Sequence, residues 1–285
     1  MTTTALRTAD VPIAVAATGA RIPVIGYGTG GGGRVTAETV AAALACGYRH
    51  IDTARKYGTE PQVGAGLKAG GVPRDEIFLT TKVSHENLAP ADFERSTMES
   101  LETLGTDYVD LLMVHWPLPT MDLQATMGAL AEMKRRGFAR YIGVANFNAT
   151  LLEEAVRFCP EPLSALQVEF HPFLDQSRMQ ALCRKLGLVF VSYCPLARGR
   201  VLDAPVLAEI AAAHGRTPSQ VALRYIIQHE GVAAIPGSGN PERIAENLAA
   251  ATFTLSEDEM ARIAALARPD GRLVSPAGRA PDWAA

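Results

Sequence analysis

The chain has 285 residues, 48% of them apolar, and a formal net charge of −3 with both signs interspersed. That length suits one large α/β domain of about 250 residues, and the balanced charge offers neither a nucleic-acid surface nor a polybasic membrane patch. No stretch approaches the roughly 20 apolar residues of a membrane span, and the start of the chain, with Arg7 and Asp10, lacks the pattern of a secretion signal.

Two short runs, 11–15 and 21–24, flank Ala-Thr-Gly-Ala and predict a hairpin. Eight further runs follow, over 24–28, 48–52, 78–82, 109–115, 141–146, 165–169, 189–193 and 232–235. Each is short and nearly continuously apolar, as expected of parallel strands covered on both faces. Helical patterns alternate with them. Thr36 caps one that runs to Cys46, and Thr59 one that runs to Lys68. The next spans 90–104, with Gly105 as its stop, followed by 122–136, 149–158 and 175–186. A pair covers 206–214 and 218–228, the last strand is followed by 241–249, and 256–267 is an extra C-terminal helix. Strand followed by helix eight times predicts a single (β/α)₈ TIM barrel over 1–285, with an N-terminal hairpin and an ordered tail after Arg268. Cys46, Cys159, Cys183 and Cys194 have no CxxC spacing and read as free thiols of a cytoplasmic chain. The six histidines show no metal-ligand spacing.

Gly28-Thr29-Gly30-Gly31-Gly32-Gly33 matches the dinucleotide fingerprint of a doubly wound sheet, with Asp52 about 20 residues on. A Rossmann-type dehydrogenase is therefore the alternative fold. Eight βα units, and a helix that starts only after Thr36, favour a loop at the barrel mouth instead.

In such a barrel the C-terminal strand ends face the active site. Here they carry Asp52, Lys82, His115, Asn146, Gln167 and Tyr193, and the last strand runs into Gly237-Ser238. Singly, each has a bland explanation; polar groups at the same end of so many strands do not. Reducing a carbonyl takes a hydride on carbon and a proton on oxygen. Tyr57, just past the second strand, can donate that proton if the Lys82 ammonium lowers its pKa, with Asp52 as the counter-charge. His115 can hydrogen-bond the carbonyl oxygen.

These residues sit in motifs that resemble the aldo-keto reductases along essentially the whole chain. The motifs are Gly-Tyr-Arg-His-Ile-Asp-Thr-Ala (47–54) with Tyr57-Gly58-Thr59-Glu60, Thr80-Thr81-Lys82-Val83, His115-Trp116-Pro117, Ile142-Gly143-Val144-Ala145-Asn146-Phe147, Gln167-Val168-Glu169 and Tyr193-Cys194-Pro195-Leu196. The last of them runs from Ile235-Pro236 to Asn247. Arg272-Leu273-Val274-Ser275-Pro276 and the Ala-Pro-Asp-Trp end look like bacterial 2,5-diketo-gluconate and methylglyoxal reductases.

The resemblance implies a monomeric reductase of small carbonyl compounds, 2-oxoaldehydes or keto-sugar acids. It implies NADPH, with NADH as a second cofactor, across the mouth. Gly28 and Thr29 would border it, Asn146 and Gln167 would hold the carboxamide, Tyr193 would stack on the nicotinamide, and Leu196 would line the pyrophosphate path. Ser238 and Arg243 would hold the 2′-phosphate, with Glu246 and Asn247 near the adenine. His85 and Trp116 would line the substrate pocket. Two departures stand out: Gly237 where the family often has lysine, and Gly30 and Ser84 where it often has tryptophan. They imply a weaker NADPH preference and a wider, more polar pocket. Since some members of this fold are channel subunits, a nucleotide-sensing module is the other alternative, against which the intact Asp52, Tyr57, Lys82 and His115 set speaks.

Overall fold

The computed structural model describes residues 11–30 and 35–285. Arg7, Asp10 and Gly31 to Gly33 of the glycine run lie outside the described residues.

The hairpin forms from β1 (Ile13–Val15) and β2 (Arg21–Pro23), paired antiparallel. The eight runs form one parallel sheet in sequence order: β3 (Tyr27–Gly28), β4 (His50–Asp52), β5 (Phe78–Val83), β6 (Val109–Val114), β7 (Ala139–Ala145), β8 (Ala165–Glu169), β9 (Val189–Tyr193) and β10 (Val232–Ala234). The sheet closes on itself where Gly26 N donates to Ala234 O at 2.8 Å and Gly28 N to Pro236 O at 3.1 Å. The closing backbones lie so near that a Cβ on Gly28 would stand 2.4 Å from Ile235 O. The first strand is shorter than its apolar run because it meets β10 only through an isolated bridge at Ile25. This closed parallel order is a (β/α)₈ barrel and excludes a doubly wound sheet.

The helices are α1 (Ala37–Cys46), α2 (Glu60–Gly70), α3 (Pro90–Leu104), α4 (Leu123–Arg135), α5 (Ala149–Phe158), α6 (Ser177–Leu186), α7 (Pro205–His214), α8 (Pro218–Ile227), α9 (Pro241–Leu248) and α10 (Glu257–Ala264). Their ends follow local chemistry. Thr36 and Thr39 form a capping box on α1, and Ser256 and Glu259 one on α10. Gly47 and Gly105 end α1 and α3 with φ of 110° and 68°. Thr59 differs from expectation: its hydroxyl does not cap α2 but meets the hydroxyls of Thr29 and Thr53 at 3.2 and 3.3 Å. Helix α2 also runs two residues further than expected, to Gly70.

Among the described residues no helix is long and apolar enough to cross a membrane. The segment after Arg268 has no helix or strand, yet it is anchored across the mouth. Asn148 Nδ2 donates to Asp282 O at 2.8 Å, and Trp283 stands edge-on to Trp116.

Candidate active site

Strand β4 ends at Asp52; extended backbone at Ala54 then leads into a 3₁₀ turn, Arg55–Tyr57, that Gly58 closes with φ of 68°. The turn brings Tyr57 back over the strand ends. Lys82, on β5, is completely buried, and its Nζ donates to Asp52 Oδ1 at 2.5 Å and to Thr53 O at 2.9 Å. Gln167 Nε2 donates to Asp52 Oδ2 at 2.8 Å, so both carboxylate oxygens are engaged. The Tyr57 ring centre lies 5.3 Å from Lys82 Nζ, and the ring stands edge-on to His115 at a centroid distance of 5.3 Å. Asn146 adopts φ of 64° at the end of β7; its Nδ2 donates to His115 O at 2.8 Å, and its Oδ1 accepts from Tyr193 Oη at 2.7 Å.

Burial alone would push the Lys82 ammonium toward neutrality, but Asp52 and then Tyr57 outweigh it, and its pKa ends above the ordinary lysine value. For Tyr57 the outcome reverses the expectation from sequence. Burial raises its pKa, the pull of Lys82 opposes that without overcoming it, and the phenol stays above its usual value. The ammonium was expected to win; the desolvation of the ring is larger. Burial, reinforced by Lys82 and Arg279, holds His115 well below the usual imidazole range, so it is neutral at physiological pH.

Two cavities meet over this cluster. The smaller, about 510 Å³, is lined by Asn146, Gln167, His85, His115 and Trp116, with Lys56, Arg198, Arg279 and 273–276. The larger, about 980 Å³, runs from Tyr57 and Tyr193 past Gly28, Leu196 and Ser238 to Arg243, Glu246 and Asn247. Tyr57, Tyr193, Arg198 and Val274 border both. Thr29 is the exception among the residues expected to bind the cofactor. It borders neither cavity but is buried beneath the mouth, where its N and Oγ1 both donate to Asp52 O, at 2.9 and 3.0 Å.

Several lining residues escaped the sequence reading. Arg198 sits on the loop after β9, where Cys194, Ala197 and Arg198 all take left-handed φ near 50°. Such strain in non-glycine residues collects at ligand clamps; the adjoining Gly199 was the one available signal. Val274 and Arg279 come from the tail, whose composition announced only a loop. The two glycine departures also look different in three dimensions. A Cβ on Gly30 would stand 2.8 Å from the Tyr57 ring, and one on Gly237 would stand 2.6 Å from Gly28 O. Gly237 is therefore required by a close backbone approach and is not simply a missing cation. Ser84 caps the short turn His85–Asn87, and Trp283, from the tail, supplies an aromatic neighbour for Trp116.

A closed parallel barrel with a buried lysine–carboxylate pair, a phenol and a neutral imidazole between two cavities defines a barrel enzyme equipped for proton transfer. The Aldo/keto reductase family model matches residues 24–268. An aldo-keto reductase of Mycobacterium sp. (strain MCS) is 41% identical over 265 residues, covering 92% of this chain and 93% of that one. Methylglyoxal reductase DkgB of Escherichia coli O157:H7 is 41% identical over 252 residues, covering 87% and 94%. A solved structure described as a 2,5-diketo-D-gluconic acid reductase B superimposes with a TM-score of 0.92 at 42% identity, covering 96% and 98%. A solved aldo-keto reductase complexed with NADPH gives 0.84 at 30% identity, covering 90% and 88%. The chain belongs to the aldo/keto reductase family and is an NAD(P)H-dependent oxidoreductase.

Proposed function

We propose that the protein reduces small keto acids to hydroxy acids with NADPH, and that Tyr57 is the general acid. The observation that carries this is the position of Tyr57: it borders both cavities and lies beside the only wholly buried lysine–carboxylate pair among the described ion pairs.

The larger cavity suits an extended dinucleotide. Gly28 and Gly237, in close backbone approach to each other, line it, and its far end offers the Arg243 guanidinium. Asn146 and Gln167 hold the carboxamide, Tyr193 the nicotinamide ring, Leu196 the pyrophosphate path, Ser238 and Arg243 the 2′-phosphate, and Glu246 and Asn247 the adenosine. The cofactor supplies the hydride. Neutral His115 donates a hydrogen bond to the substrate oxygen and orients it. Burial keeps Tyr57 protonated until that oxygen turns basic; the Lys82 ammonium then stabilises the phenolate left behind. Asp52 holds Lys82 charged, and Gln167 and Thr29 hold Asp52 in place.

The lining of the smaller cavity favours an anionic substrate over a neutral 2-oxoaldehyde. Lys56, Arg198 and Arg279 line it, and no aspartate or glutamate does among the described residues. His85 and Trp116 form its outer wall. The whole chain acts as one catalytic domain, monomeric and cytoplasmic.

The deciding experiment pairs each 2-oxo carboxylate with its methyl ester, assayed with NADPH and with NADH. The acid should exceed the ester in kcat/KM, and Arg279→Met should narrow the gap. Tyr57→Phe should lower turnover of both by about 10²–10⁴-fold, the worth of a general acid, with cofactor affinity nearly unchanged. Preference for the esters would overturn the keto-acid assignment. A Tyr57→Phe enzyme keeping more than about a tenth of its turnover would overturn the acid assignment.

A further inference from the structure

Glu169, the last residue of β8, has no solvent exposure and touches neither cavity. Its carboxylate is nevertheless fully engaged. Leu273 N donates to Oε1 at 2.7 Å and Val274 N to Oε2 at 2.9 Å. His171 Nε2 lies 3.0 Å from Oε1. Because Phe173 N donates to His171 Nδ1, the imidazole proton resides on Nε2 and points at Glu169. Arg272 lies 3.8 Å from Oε2, with its guanidinium 3.7 Å above the Trp283 ring. Burial would raise the Glu169 pKa, but these donors hold it below the usual carboxylate range, so the site is a buried anion.

From these contacts we propose that Glu169 is a positioning residue that latches the C-terminal tail as a wall of the substrate cavity, and so sets which carbonyl compounds fit; this rests on the reductase reading above. The tail enters the latch through Gly271, whose backbone lies so close to Phe173 O that no side chain is tolerated there. The latched residues Leu273 and Val274 themselves, and Ser275, Pro276 and Arg279 just past them, line the cavity. Strand alternation puts Glu169 on the same face as Gln167, two residues earlier, which grips Asp52. One strand face therefore holds both the ion pair beneath Tyr57 and the wall opposite it. Without the carboxylate, two successive tail amides lose a charged acceptor, and nothing else on β8 is placed to receive them.

The test begins with the wild-type protein, because hydrogen exchange needs no turnover. The amides of Leu273 and Val274 should exchange far more slowly than those of 282–285; equal rates would overturn the latch. In Glu169→Gln, the carboxylate becomes an amide with a single acceptor oxygen. Tail exchange should accelerate at least tenfold, and emission from Trp116 and Trp283, the two tryptophans of the chain, should change. KM for the best carbonyl substrate should rise at least fivefold. Turnover number should hold within about threefold, a split that general loss of stability does not produce. Unchanged tail exchange with unchanged KM, or a fall in turnover number alone, would overturn the proposal. If the wild-type protein reduces no carbonyl compound, the functional reading fails while the exchange result still decides the latch.

Discussion

The barrel buries a carboxylate with cations at each end, and the two clusters are built differently. At the floor, Asp110 accepts from Arg74 at 2.7 Å, from Arg140 at 3.1 Å and from Leu79 N at 3.0 Å. Both guanidinium groups stack on Tyr108 and are partly in solvent, with side-chain exposures of 24% and 46%. At the mouth, Asp52 and Lys82 are 1% and 0% exposed. Lysine has three donors, and Lys82 spends two, on Asp52 and Thr53 O. The floor is saturated by cations that do not give up their protons. The mouth keeps a charge in reserve beside a phenol. A buried ion pair is thus structural or chemical according to whether its cation has capacity left and a titratable neighbour to act on.

The sharpest way to break this contrast is to remove one cation at each end. Lys82→Met should lower turnover about as far as losing the acid itself, by about 10²–10⁴-fold. It also strands a buried carboxylate, which costs roughly 3–5 kcal/mol of stability in denaturant unfolding. Arg74→Met should leave turnover essentially where it was, because Asp110 retains Arg140 and Leu79 N; stability should fall by about 1–3 kcal/mol. Similar turnover losses from both would mean that the mouth pair is structural too.

Arg243 stands between these extremes, an exposed cation at the far end of the larger cavity. A charge-assisted contact to a phosphate is worth about 1.5–3 kcal/mol, so Arg243→Ala should weaken NADPH binding about tenfold or more and leave NADH unchanged. Titration of both cofactors against both proteins decides it; equal weakening would remove Arg243 from the 2′-phosphate. Gly237→Lys is a poor complement, because its Cβ would strike Gly28 O.

The smallest expected effect is one of pH, and both ends share it. Burial lowers the pKa of His50 near the floor and of His115 at the mouth. Below about pH 6.5 the unfolded chain binds protons that these folded imidazoles refuse, so stability should fall as pH drops through that value. Urea unfolding between pH 7 and pH 5 reads the slope, and His115→Asn should flatten it. A slope unaltered by that change would mean that folding does not lower the His115 pKa.

Much of the mouth was legible because strand ends are local signals. Asp52, Lys82, Asn146 and Tyr193 stand where apolar runs stop, and the barrel rule turns position along the chain into position in space. Helix ends were legible for the same reason: Thr36, Gly47, Gly105 and Ser256 act on backbone within four residues. Thr29 and Thr59 misled because a threonine beside a loop or a helix start has several uses, and only packing selected their shared hydroxyl contact beneath Asp52. Arg198 and Arg279 carry no period and no cap, so apart from Gly199 beside Arg198 nothing nearby marked them.

What the sequence by itself determined was the alternation of strand and helix, the caps, and the set of chemical groups delivered to one end of the barrel, since each depends on neighbours a few residues away. Tertiary structure alone decided the pairings between distant positions. Gln167 reaches Asp52 across 115 positions, and Leu273 reaches Glu169 across 104. It alone decided, too, that desolvation outweighs the Lys82 charge at Tyr57. The physical reason is that burial and long-range hydrogen bonding depend on the completed enclosure, which no local stretch of chain contains.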